Sequence, residues 1–273
     1  MYLLYTSGSS SAVEHRPSKA AVVGSSPISR STFRTTNTNL NFTLNHLYKN
    51  LPKLRKHRLT SGEVHSLLQQ YQGPVTWTPR YDPISELVFT ILTQHTSDNN
   101  ALKAFNNLIG KFPEWQDVLD ADDDEIAKTI FIGGLSKIKA PRIKSVLKVI
   151  KSNRGSFNID FLSQLTLTEA KNWLKSLPGV GPKTAAVVLA FALNMPAMPV
   201  DTHIYRVSKR LGLIGKKTDV DKAHDILEKS VDTNKVFSFH VYLIQHGRTV
   251  CKARKPLCNE CVMSDKCQSA FKL

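Results

Sequence analysis

Apolar side chains recur at helical spacing over most of the chain, and the breaks between those runs are short. Asp82 followed by Pro83 reads as an N-cap with proline at the first helical position. After it Ile84, Leu87, Val88, Ile91 and Leu92 share one face. Asp122-x-x-Glu125 and Thr166-x-x-Glu169 read as two capping boxes, each opening a further helix. Ile143, Val146, Leu147 and Ile150 keep the same period. So do Ile204, Val207 and Leu211, and later Val236, Phe239, His240, Leu243 and Ile244. No convincing period-two run and no repeat of fixed length breaks the pattern. From about residue 60 onward the expectation is an all-α fold.

A chain of 273 residues, 41% hydrophobic, can bury a real core and has room for roughly two lobes. Its longest apolar run, Ala185–Leu193, spans nine residues, less than a membrane crossing needs. The balance of 37 Lys+Arg against 22 Asp+Glu leaves a net charge of +15, which favours a polyanionic partner. That partner is nucleic acid or an anionic membrane surface, and charge alone does not choose.

The first forty residues differ from the rest. They hold nine Ser, five Thr and a single acid, Glu14, with no amphipathic period. Three readings stand side by side: a disordered tail, an organellar presequence, or a tRNA gene translated in frame. The third rests on Gly24-Ser25-Ser26-Pro27, the in-frame translation of a tRNA T-arm. Residues 1–58 are therefore read as a disordered or non-native extension. With a mis-assigned start, the expected location is a bacterial or archaeal cytoplasm; with a true presequence, it is an organelle.

The most specific local string is Leu177-Pro178-Gly179-Val180-Gly181-Pro182-Lys183-Thr184, between the capped helix from Thr166 and the apolar run from Ala185. Proline and two glycines permit a tight turn that a ligand can approach closely. The N–H groups opening the second helix then suit a phosphate. Two helices joined by such a turn form a helix–hairpin–helix, which grips a nucleic-acid backbone through Gly179, Val180, Gly181 and Thr184 without reading sequence. An ordinary corner with glycines for packing is the plainer alternative. Lys183 falls in the first turn of the second helix, where the dipole works against a positive charge. A neutral amine there is a nucleophile able to form a Schiff base with a sugar aldehyde, though a phosphate-binding lysine fits the position equally well. Asp201, in Val200-Asp201-Thr202-His203, precedes a helical pattern and reads as an N-cap, a catalytic carboxylate, or both.

All four cysteines crowd the C-terminus: Cys251, Cys258, Cys261 and Cys267, with six, two and five residues between them. That bunching reads as one metal or cluster site in a reducing compartment, with zinc and an iron–sulfur cubane both open. Lys252, Arg254 and Lys255 stand in the first gap and read as a phosphate-gripping loop. His203 is expected to orient its loop and His246 to be a hydrogen-bonded core residue.

Hairpin, Lys183, the Val-Asp-Thr-His string and terminal cysteines together resemble the endonuclease III family, within the helix–hairpin–helix/Gly-Pro-Asp superfamily of DNA glycosylases. The likeness runs from roughly residue 60 to 270. It implies a bilobal all-α fold: a helical barrel over 76–195, and a second lobe of 59–75 plus 196–273 with a cluster loop at 251–267. It also implies Lys183 as the Schiff-base lysine, Asp201 as the essential aspartate and the four cysteines as ligands of a 4Fe–4S cluster. Gln94 would fill the hole left by a flipped nucleotide, and Leu135 would wedge the duplex, against the plainer readings of a helix C-cap and a buried loop leucine. The implied activity is that of a monomeric glycosylase with AP lyase activity on double-stranded DNA carrying damaged bases, such as oxidised pyrimidines, or abasic sites. Two departures bear on base preference: Asp98 is out of step with the family's aspartate, and Pro182 replaces an arginine. The alternatives are an adenine-mismatch-type monofunctional glycosylase and a non-enzymatic, zinc-stabilised DNA-binding protein.

Overall fold

A computed structural model describes residues 58–272, so the readings made for the N-terminal extension lie outside it. Among the described residues there are helices and no strands. The α-helices are α1 (Ser61–Gln72), α2 (Pro83–Thr93), α3 (Asp98–Lys111), α4 (Trp115–Asp120), α5 (Asp123–Thr129), α6 (Ser136–Arg154), α7 (Leu167–Lys175), α8 (Pro182–Ala192), α9 (Thr202–Leu211), α10 (Val220–Lys229) and α11 (Val236–Thr249). No helix among these residues is long and apolar enough to cross a membrane.

Local chemistry sets the boundaries. The Asp82 carboxylate accepts from the N–H groups of Ile84 and Ser85, with Pro83 opening α2. Thr166 and Glu169 form the expected capping box at α7. The box expected at Asp122 is absent. Asp122 sits at the N-cap of α5 without a side-chain cap bond, and Glu125 pairs instead with Lys111, 2.8 Å away.

Two main apolar cores organise the described residues. The first buries Ile84, Leu87, Val88, Ile91 and Leu92 of α2 against Ile143, Val146, Leu147 and Ile150 of α6, and against Ala185, Val188 and Leu189 of α8. The second gathers Val64 and Leu68 of α1, Ile204, Val207 and Leu211 of α9, and Phe239, Leu243 and Ile244 of α11. A smaller cluster joins α8 to α11, where Phe191 and Phe237 meet edge to face at 5.2 Å.

The loop between α5 and α6 removes the plainer reading of Leu135 as a buried loop leucine. Leu135 is 49% exposed, not buried, and stands at the N-cap of α6 in the left-handed region (φ 49°). A leucine avoids that conformation unless its surroundings impose it. Two residues earlier, the Gly133 backbone lies so close to α3 that a Cβ there would come within 2.9 Å of the Ala104 Cβ. Phe131, Ile132 and Ile138 are exposed beside Leu135.

Candidate active site and cysteine loop

The hairpin folds as its residues dictate. Past α7 the Val180 N–H donates to the Leu177 carbonyl, and Gly179 takes φ 71°. A Cβ on Gly179 would also fall 2.6 Å from the Arg142 Nε, so the Arg142 side chain would have to move aside. Gly181 needs neither argument: its φ is −93° and a Cβ would meet open space. Its smallness leaves room beside the first turn of α8, whose N-terminus no side chain caps. Val180 is buried, so only its backbone can meet a ligand.

Lys183, the second residue of α8, is exposed. It lines a cavity of about 740 Å³ together with Gln94, Gly181, Thr184, Asp201, His224 and His240. Residues 94, 181, 183, 184 and 201, far apart in sequence, thus share one wall system. Asp201 caps α9, its carboxylate accepting from the Ile204 N–H at 2.8 Å. Gln94 is indeed the C-cap of α2, and its side chain also reaches into the site. Its Oε1 accepts from Arg142 at 2.9 Å, and its Nε2 donates to the Thr184 hydroxyl at 3.4 Å. Thr184 is buried, so its hydroxyl serves Gln94. Leu135, Gly179 and Val180 do not line the cavity.

Several residues at this site carry no local signal in the sequence. The segment leading to Asp201 is pinned from one side by three side chains. His224 Nδ1 lies 2.8 Å from the Met198 carbonyl oxygen, His240 Nδ1 lies 3.0 Å from that of Pro199, and Glu228 accepts from the Met198 N–H at 3.0 Å. Burial lowers the pKa of both histidines, that of His240 to about 4 despite the nearby Asp201 carboxylate. Both rings are therefore neutral N–H donors at neutral pH. Arg80, on the cavity wall, pairs with the fully buried Glu86 and lies over the Phe89 ring at 4.4 Å. Burial raises the Glu86 pKa, and the Arg80 guanidinium opposes that rise. Asp98, which the family pattern does not reach, is also on the cavity wall and pairs with Arg248 at 3.0 Å.

The four cysteines, all free thiols, line a second small cavity with Leu211, Val250, Pro256, Leu257 and Ala270. No carboxylate joins them there; apart from the His246 imidazole the donors are four soft sulfurs in a largely apolar shell, the chemistry an iron–sulfur cluster takes. Burial and the neighbouring thiols push Cys261 up to about 11, so a bound cation must draw off its proton. Arg210 of α9 holds the loop in place. It donates to the Cys251 sulfur at 3.4 Å and to the carbonyls of Lys252 and Ala253 at 2.7 and 3.0 Å. Lys252, Arg254 and Lys255 are exposed on that loop. His246 is buried as expected, but its Nε2 lies 3.7 Å from the Cys261 sulfur and its Nδ1 has no hydrogen-bond partner among the described residues. His203 turns toward Arg206, 3.2 Å away, and packs α9 against Gly247 of α11.

Comparisons with known proteins agree with this geometry. Residues 88–233 match the HhH-GPD superfamily base excision DNA repair protein family, and residues 251–267 match the iron–sulfur binding domain of endonuclease III. A putative DNA glycosylase of Arabidopsis thaliana is 36% identical over 62% of this chain, which spans 58% of that protein's length. Endonuclease III of Sulfolobus acidocaldarius is 33% identical over 67% of this chain and 80% of its own. Among solved structures, a trapped endonuclease III–DNA covalent intermediate superposes with a TM-score of 0.66 at 27% identity, covering 78% of this chain and 98% of the other. The chain belongs to the HhH-GPD superfamily of base excision DNA repair glycosylases, in an endonuclease III-like form with a 4Fe–4S cluster loop at its C-terminus.

Proposed function

We propose that this protein is a bifunctional DNA glycosylase and AP lyase that excises oxidised pyrimidines from duplex DNA. The observation that carries the reading is the shared cavity. Lys183 at an uncapped helix N-terminus and Asp201 at the head of α9 open onto the same space, beside a hairpin with room for a phosphate. A base inside a duplex cannot reach such a cavity, so the damaged nucleotide is turned out of the stack.

In this reading the hairpin N–H groups and the exposed Lys252, Arg254 and Lys255 hold the DNA backbone. Lys183 Nζ attacks C1′, and the bond from C1′ to the base breaks with its electron pair leaving on the base. Asp201 stabilises the positive charge that develops on the sugar. After nitrogen loses a proton, its lone pair opens the sugar ring: the C1′–O4′ bond breaks, O4′ takes that electron pair and a proton, and a protonated imine is left at C1′. Removal of a C2′ proton then expels the 3′ phosphate and nicks the strand. The cluster, when bound to Cys251, Cys258, Cys261 and Cys267, supplies the cross-link that fixes the basic loop. The protein acts as a monomer.

Borohydride trapping on DNA with a single abasic site tests the lyase: a covalent adduct through Lys183 is expected, and its absence overturns the bifunctional assignment. A panel of duplexes, each with one defined lesion, tests the substrate class. Preference for any purine lesion over the oxidised pyrimidines would replace it.

A further inference from the structure

Lys139 is 2% exposed, yet among the described residues it forms no ion pair. Its ammonium donates instead to two backbone carbonyls, each at 2.8 Å: Leu92 in the last turn of α2 and Gly133 in the loop before α6. Burying an ammonium is costly, and carbonyl oxygens repay less of that cost than a carboxylate would. The two carbonyls belong to the elements that carry Gln94 and Leu135. Lys139's own N–H donates to the Leu135 carbonyl at 2.9 Å, closing the connection. Arg142, at the next turn of the same helix face, donates to Gln94 Oε1 at 2.9 Å. Leu135, Lys139 and Arg142 thus form one row along α6 that reaches across to the end of α2.

We infer that Lys139, with Arg142, is a positioning residue that sets the spacing between Gln94 and Leu135 where the two would enter the duplex. The inference rests on the reading of Gln94 and Leu135 as the side chains that take the space of the flipped nucleotide. That space has a fixed size, one base step, so the separation of the two side chains matters as much as their identity. Two flexible loops would not hold it. A buried cation bonded to both backbones does, and it leaves the Lys183 and Asp201 chemistry untouched.

The test is a set of double-mutant cycles on the cluster-loaded protein, read as single-turnover excision from fully paired duplex. Lys139→Met keeps the length of the side chain and removes the ammonium. Gln94→Ala and Leu135→Ala are each expected to slow excision about tenfold in the natural background, and less than twofold once Lys139 is Met. The Lys139→Met defect should shrink when the target base is left unpaired, because less of the stack must then be opened. Equal effects of Gln94→Ala and Leu135→Ala in both backgrounds would overturn the role of Lys139 while leaving the hole-filling reading intact. No effect of either in the natural background would overturn that reading, and the spacing role with it. If Lys139→Met does not fold, Arg142→Met serves, since it removes the hydrogen bond to Gln94 and keeps an unbranched side chain against Gly179. It should abolish the effect of Gln94→Ala and spare that of Leu135→Ala, and unchanged Gln94→Ala behaviour would count against the inference.

Discussion

Lys171, on the first helix of the hairpin, forms a two-pronged ion pair with Glu228 of α10, its Nζ 2.7 Å from both carboxylate oxygens. The same carboxylate accepts from the Met198 N–H, three residues before Asp201. The element that would hold the DNA backbone is thereby tied to the segment that presents the carboxylate. Both side chains are mostly shielded, 18% and 15% exposed. Loss of one partner should leave a charge poorly solvated and cost about 1–3 kcal/mol. Lys171→Met is therefore expected to lower the unfolding midpoint and to slow single-turnover excision more than it weakens DNA binding. Equal losses in binding and rate would show that the pair stabilises the fold without setting Asp201.

Asp201 has two separable jobs. Asparagine keeps an oxygen acceptor for the Ile204 N–H and is as good an N-cap as aspartate. Asp201→Asn should thus preserve thermal stability and lower base excision by about a hundredfold or more, because the charge itself is removed. Asp201→Ala should lose the same activity and about 1 kcal/mol of stability besides. Thermal melts and single-turnover rates on the three proteins separate the roles. An Asp201→Asn protein with near-normal excision would remove the carboxylate from the mechanism.

Lys183→Gln should abolish strand nicking and borohydride trapping and leave duplex binding in place, since the exposed Lys183 supports no core packing. Gel-shift titration beside the trapping assay checks both halves. A trapped adduct in the variant would mean that another amine is the nucleophile.

Cys258→Ser or Cys261→Ser should lose iron and visible absorbance and loosen the C-terminal loop, because these two ligands share the shortest gap. Reversing Lys252, Arg254 and Lys255 to glutamate should keep the iron and weaken binding to damaged and undamaged duplex alike. For each phosphate that the variant no longer neutralises, the slope of log K against log salt should flatten by about 0.9. A slope unchanged in the triple variant would show the loop to be merely solvated.

The features legible in the sequence are those whose cause is local. Asp82 and Pro83 fix the start of α2 within two residues of chain, and Thr166 and Glu169 do the same for α7. Gly179 announces its left-handed turn because few other residues tolerate one. Asp122 shows the limit even at that range: its motif is complete, but Lys111, outside the motif, takes the glutamate. The site's supporting residues have no comparable mark. Lys139 looks like any lysine in a basic helix until Leu92 and Gly133 are brought to it. His224 and His240 meet neighbouring carbonyls 26 and 41 residues away, from two different helices. Leu135 shows a related limit: its place after two glycines leaves both a wedge and a buried leucine open, and only the folded loop, with Leu135 49% exposed, removes the second.

The two buried histidines give stability a defined acid limb. Burial holds the folded-state pKa of His240 near 4 and that of His224 below its ordinary 6.5, whereas both titrate near 6.5 in the unfolded chain. Between those values the unfolded chain binds more protons than the folded one, so stability rises with pH. The His240 contribution is fully present above about pH 6.5 and is lost as pH falls from there toward 4, by at most about 1.4 kcal/mol per pH unit, and His224 acts in the same direction. His240→Asn retains an N–H donor for the Pro199 carbonyl and removes the titration. Denaturant midpoints of the cluster-loaded protein and this variant, measured between pH 7.5 and 4.5, should converge as the solution is acidified, the natural protein having the steeper decline. The difference between the two proteins isolates His240 from acid effects on the cluster and on other histidines. Parallel curves would show that the ring takes up its proton in the folded protein as readily as in the unfolded chain.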